Sequence, residues 1–130
     1  MVSKIRTTRI ADRVKQVLSV LLIEAISDTR LEGIFVTDVS VDRELAYANV
    51  YVSAVEGSVR SEEVLAGLNH ALGYIRRELS HKIELRTFPQ LRFFWDMTPE
   101  KADHIEKLLE SIRSSDNTEK DRTEKARNAD

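Results

Sequence analysis

Apolar residues change their spacing four times along this chain, and that alternation leaves few folds open. Ile10, Val14, Val17, Leu18, Leu21, Leu22 and Ala25 recur every three or four positions. This is the stripe of a helix with one buried face, predicted over about Thr8 to Ile26 with Thr7 or Thr8 as its cap. Asp28 to Gly33 then reads as a turn. After it the period becomes two. Ile34 to Val41 is rich in β-branched residues, and Leu45 to Ser53 sets Ala46, Ala48, Val50 and Val52 against Tyr47, Asn49 and Tyr51. The connector Asp42–Arg43–Glu44 is short, so the two strands are predicted to form an antiparallel hairpin. Ile34 and Val36 are out of phase with Val39 and Val41, which requires a bulge near Thr37–Asp38 or a strand covered on both faces.

The helical spacing then returns. Beyond the loop at Glu56–Gly57–Ser58, Ser61 caps a second predicted helix with Val64, Leu65, Leu68, Leu72, Ile75 and Leu79 as its buried stripe. Gly67 and Gly73 lie inside it. An interior glycine destabilises a helix by about 1 kcal/mol relative to alanine, so Gly73 points to a kink or to close approach by another backbone. Phe88–Pro89 breaks the chain, and Leu91, Phe93 and Trp95 alternate with Arg92 and Phe94 as a third strand. Thr98–Pro99–Glu100 starts a last helix, with Ala102, Ile105, Leu108, Leu109 and Ile112 expected as its buried stripe. The order is helix, strand, strand, kinked helix, strand, helix. A three-stranded sheet with helices on one face is the economical α+β packing. One domain is expected over residues 1–113, with residues 114–130 a disordered polar tail.

Several function classes drop out on composition. The 130 residues contain no cysteine, which excludes disulfides, thiolate metal sites and cysteine nucleophiles. His70, His81 and His104 are too scattered to suggest a metal site. There is no phosphate-binding glycine loop, no dinucleotide fingerprint and no nucleophile elbow. Asp38, Asp42 and Asp96 sit at strand ends, where solvated turn residues are common. The expectation is a binding protein without cofactor. No apolar run approaches the roughly 20 residues of a membrane helix, and the basic start lacks a secretory apolar region, so a cytoplasmic address is expected.

Charge is distributed unevenly. The net charge is −2, yet residues 1–30 hold six cations against three anions and residues 70–92 five against two. Residues 31–69 hold two cations against seven anions. Two basic blocks in an otherwise acidic chain suggest a polyanionic partner, provided that folding brings them together. Arg6, Arg9 and Arg13 stand at the start of the first helix, the wrong end for its dipole, which favours a phosphate contact over a merely solvated face. The stretch from Asn69 to Arg77, which includes His70, can be an ordinary amphipathic helix. Alternatively, Ala71 and Gly73 form a kink approached by a nucleic-acid backbone, with Arg76, Arg77 and Lys82 on phosphates and Tyr74 beside them. Arg86 and Arg92 flank the loop before the third strand and either extend that patch or are simply exposed. Phe93, Phe94 and Trp95 read as core and sheet face before a base-stacking platform.

Taken in order, several segments are similar to a known family. They are the basic start Arg6 to Arg13, Val36–Thr37–Asp38–Val39, the run from Val41 to Ser53, Ala71 to Leu79, Leu85–Arg86, Pro89 to Phe93, and Asp96 leading into the last helix. Over about Arg6 to Ile112 the chain resembles bacterial ribosome-binding factor A. The resemblance implies a KH-like fold of the second topological type, with the usual Gly-x-x-Gly loop replaced by an Ala-x-Gly kink that Ala71–Leu72–Gly73 matches. It also implies a non-enzymatic, monomeric assembly factor that binds the free small (30S) ribosomal subunit. Its role there is in late maturation of 16S rRNA, including the 5′ end, especially in the cold and alongside assembly GTPases. Two other readings stay open: a protein-interaction module or homodimer pairing through the hairpin edge, and a KH-type module for single-stranded RNA, against which the missing Gly-x-x-Gly argues.

Overall fold

The computed structural model describes the backbone of residues 2–128 and the side chains of residues 2–115. The chain divides into two units, one ending at Met97 and one beginning at Thr98. The first unit opens with helix α1 (Lys4–Glu24), one turn earlier than its apolar stripe announces. Ser3 is the reason. Its side chain accepts from the Arg6 N–H at 3.2 Å, so it caps the helix in place of Thr7 or Thr8, whose hydroxyls instead donate to the Lys4 carbonyl. Ile10, Val14, Val17, Leu18, Leu21 and Leu22 are buried as expected, whereas Ala25 caps the end of the helix and is exposed.

Strands β1 (Ile34–Val41) and β2 (Tyr47–Ala54) pair antiparallel, and β3 (Gln90–Trp95) joins β2 in parallel, giving the sheet order β1-β2-β3. The register slips between Val36 and Asp38. The phase error in the sequence is therefore a bulge at Thr37, which turns Val36 and Val39 to the same buried face. The hairpin connection is longer than the sequence suggests. Leu45 takes a left-handed φ of 57° and its N–H bonds the Asp42 carbonyl, so the strand resumes only at Tyr47.

Val36, Val39, Ala48, Val50, Val52 and Leu91 form the sheet side of one core, closed by α1 and by helices α2 (Ser61–His70) and α3 (Leu72–Lys82). Because side chains alternate, the opposite face of the sheet is left to Phe35, Asp38, Tyr47, Asn49, Tyr51, Arg92 and Phe94. Ser53 shares that side by alternation yet is fully buried, and its hydroxyl has no hydrogen-bond partner among the described residues. α2 begins at Ser61 itself, with Arg60 in the cap position and no side-chain cap. Gly67 lets it lie close to the turn at Thr29–Leu31: a Cβ there would stand 2.9 Å from Leu31 Cδ2.

The second unit is the helix α4 (Thr98–Asn128). Ala102, Ile105, Leu108, Leu109 and Ile112 were expected as a buried stripe but are exposed. The spacing is helical as predicted, but this unit is a single helix and has no second element against which the stripe could close. Helical backbone runs to Asn128, past residue 113, where the sequence reading ends the ordered domain. Glu, Lys and Arg, which are good helix formers, supply six of the fifteen residues from 114 to 128.

Candidate nucleic-acid interface

The predicted kink is present. The second helical stripe splits into α2 and α3 at Ala71, whose φ of −87° and ψ of 3° lie outside the helical range. The hydrogen-bond ladder passes through it: Ala71 N–H reaches the Gly67 carbonyl at 3.0 Å and Ile75 N–H reaches that of Ala71 at 2.9 Å. The break therefore redirects the helix at little loss in hydrogen bonding. Gly73 follows in the first turn of α3, exposed, with nothing within 4 Å of where a Cβ would be. No neighbour within the protein requires a glycine there.

Around the kink the predicted residues separate into free and committed groups. His70, Tyr74, Arg77, Lys82 and Arg86 are exposed. Arg77 places its guanidinium carbon 5.9 Å from the centre of the Tyr74 ring, one helical turn back. Arg76 is also exposed, but one of its amino groups donates to the Phe88 carbonyl at 2.9 Å, anchoring α3 to the loop before β3. Part of its donor set is thus structural and the rest is open. Arg6, Arg9 and Arg13 lie on one exposed side of α1, and none forms an ion pair among the described residues. Lys15, from the same basic cluster, is instead turned inward, with Nζ donating to the Thr37 carbonyl at the bulge.

The two basic blocks sit on neighbouring helices, since α1 and α3 are in contact. They do not merge into one pocket. A cleft of about 430 Å³ at the kink is lined by Ser27, Asp28, Arg30, His70, Ala71 and Tyr74, so α3 starts beside the far end of α1. At 1.5 Å per residue, Arg6 then lies roughly 30 Å from the kink. Arg6 and the kink therefore stand at opposite ends of α1. Arg92 belongs to neither helix. It stands on the face of the sheet turned away from the helices, with Nε donating to Asn49 Oδ1 at 2.9 Å.

Arg30 is a neighbour of the kink that the sequence showed only as part of a turn. Its guanidinium grips the Asp28 carboxylate at 2.8 to 3.2 Å while its backbone N–H bonds the same group. Those hydrogen bonds hold the Asp28 carboxyl below the usual range and raise Arg30 in turn. The signal for it was Asp28 two residues before Arg30, an Asx-turn spacing that places the side chain over its own turn. Among the described residues no group of three or more His, Cys, Asp or Glu could hold a metal ion, and no helix is long and apolar enough to cross a membrane.

Comparison with known proteins puts this geometry in a family. The sequence model described as ribosome-binding factor A matches residues 6–109. Ribosome-binding factor A of Finegoldia magna is 34% identical over 116 residues, which cover 88% of this chain and 96% of the relative. That of Clostridioides difficile is 41% identical over 113 residues, covering 86% and 88%. The crystal structure of ribosome-binding factor A from Thermus thermophilus superposes with a TM-score of 0.62 at 24% identity, covering 68% of this chain and 93% of that one. Coordinates of the Thermus thermophilus factor fitted into the cryo-electron-microscopy map of its complex with 30S give a TM-score of 0.56 at 24% identity, covering 67% and 91%. The fold is accordingly α+β, as the order of elements implied, and KH-like, as the resemblance implied. With a family match over most of its length and relatives aligned almost end to end, the chain belongs to the ribosome-binding factor A family.

Proposed function

We propose that this protein binds the free 30S ribosomal subunit through 16S rRNA and assists late maturation of that rRNA, including its 5′ end, most importantly in the cold. The observation that carries the reading is the kink: Ala71 redirects the helix, Gly73 leaves open space, and Arg77 and Lys82 stand exposed on the same helix. A glycine that nothing inside the protein requires fits the close approach of an external backbone. The family and the relative fitted into a 30S complex supply the partner.

On this reading Arg6, Arg9, Arg13, Arg77, Lys82 and Arg86 contact phosphates. Arg76 contributes with the donors not held by Phe88, and His70 and Tyr74 line the kink. Binding holds one of several rRNA conformations, a population shift that needs no bond chemistry and no cofactor. The protein acts as a cytoplasmic monomer, and assembly GTPases act on the same particle. In a strain lacking this chain, 16S rRNA precursor with an unprocessed 5′ end accumulates at low temperature. Wild type restores processing and Arg76→Glu/Arg77→Glu does not. Normal processing in the cold without the chain would contradict the maturation role.

A further inference from the structure

The face of the sheet turned away from the helices carries chemistry that the rRNA contact does not use. Strand register sets Asp38, Tyr51 and Phe94 side by side across the three strands, with Ser40, Asn49 and Arg92 in the next row. The Tyr51 and Phe94 rings stack with centroids 5.5 Å apart and planes 27° apart. Phe94 keeps 40% of its surface exposed, and Asp38 is exposed beside the pair. Asp96 follows β3 and reaches back over β2, where its Oδ2 accepts from the Thr37 hydroxyl at 2.6 Å. The ring pair thus has the exposed Asp38 beside it in the same row, while the Asp96 carboxylate is committed to Thr37 on β1.

The neighbouring row shows which group such a surface takes. The Arg92 guanidinium carbon sits 3.9 Å from the centre of the Tyr47 ring while its Nε donates to Asn49. A guanidinium is planar and weakly hydrated, so its face stacks on an aromatic ring while its edge donates to carboxylates; an ammonium does neither as well. Phosphate is the wrong partner here. Arg92 is the only cation among these strand residues and is already seated, whereas the aspartates would repel an anion. Asp38 is the acidic residue that β1 and β2 contribute to this face.

We propose that the open face of the sheet docks an arginine-rich polypeptide segment, with one partner guanidinium stacked on the Tyr51–Phe94 pair beside Asp38. The protein then carries two contact surfaces of opposite sign, helices towards a polyanion and sheet towards a polycation. This inference goes beyond the rRNA reading and does not depend on it.

The test is an amide-shift titration of the isotope-labelled full chain with an octa-arginine peptide, run beside octa-lysine and an oligo-uridylate. Octa-arginine is expected to give saturable shifts at Asp38, Tyr51 and Phe94, with octa-lysine about fivefold weaker. Asp38→Asn and Phe94→Ala each weaken octa-arginine binding by about five- to tenfold. Phe94→Leu, which keeps an apolar side chain, separates loss of the ring from loss of the fold. Unsaturable shifts spread over acidic residues, equal response to both peptides, oligo-uridylate shifting the same amides, or self-association through this face would each overturn the proposal. No ribosomal particle enters the measurement, so its failure and that of the rRNA reading are distinguishable.

Discussion

Two glycines on one bent helix have opposite reasons for being glycine. Gly67 has Leu31 Cδ2 2.9 Å and Arg30 Cβ 3.3 Å from the position of a Cβ, while Gly73 has open space. Gly67→Ala should therefore push the Thr29–Leu31 turn away and lower stability, because overpacking costs about 1–3 kcal/mol and the helix-propensity gain offsets only part of it. Gly73→Ala should raise stability by up to about 1 kcal/mol. Thermal unfolding of the two variants checks both signs, and a destabilised Gly73→Ala would remove the case that this glycine serves an external partner. Carboxylates set the acid limit at the same scale. Asp42 is held below its ordinary value chiefly by the Tyr47 N–H, Asp28 chiefly by the Arg30 side chain, and Glu56 by its own N–H and then Arg60. A depressed folded value means that the stabilisation is complete above the unfolded value, about 4, and is lost as pH falls through the folded one. Stability is expected to hold flat from neutral pH to about 5 and to decline below about 4. Asp42→Asn should be less stable at neutral pH and less acid-sensitive, which unfolding curves across that range resolve.

Among the elements, those with a local cause were legible in the sequence. The α1 stripe showed its buried face because the period is intrinsic to the helix, and the phase error between Val36 and Val39 showed the bulge because side chains alternate strictly in a strand. The start of α1 was misplaced by a turn, since three hydroxyl residues compete there and only the structure shows that Ser3 caps. The kink was legible from the small pair Ala71 and Gly73, and the break falls at Ala71. The contacts that seat the elements were not legible. Arg60 looked like one cation in an acidic stretch, yet its guanidinium bonds the Glu32 carbonyl at 2.6 Å and the Arg30 carbonyl at 3.1 Å, partners about thirty residues back. Its side chain is 14% exposed, whereas its ion-pair partners Glu56 and Glu63 are far more so. The carbonyl hydrogen bonds therefore carry the effect and the screened pairs add little. Arg60→Ala is expected to cost about 1–2 kcal/mol and to loosen the Thr29–Leu31 turn first. Hydrogen exchange localised at Leu31 and Glu32 would confirm this, and a uniform loss of protection would contradict it. Arg76 is a similar case: its bond to Phe88 gives it a structural share that spacing could not reveal.

Over the whole molecule the uneven charge of the sequence puts its basic blocks on α1 and α3. On the rRNA reading these blocks, which lie on neighbouring helices, meet a polyanion along its length and not in one pocket, with Arg92 left on the opposite face of the sheet. An interface of that kind draws its affinity from phosphates and counterion release, so its salt dependence counts the contacts. The most direct measurement is co-sedimentation with purified 30S subunits across a salt series, comparing wild type, Arg76→Glu/Arg77→Glu and Arg92→Ala. Wild type is expected to pellet with the subunit and to lose affinity steeply as salt rises. The double variant should remain folded, bind far more weakly and show a salt slope lower by about two, while Arg92→Ala binds as wild type. A folded wild type that fails to pellet at low salt, or a double variant that binds with an unchanged slope, would contradict the account.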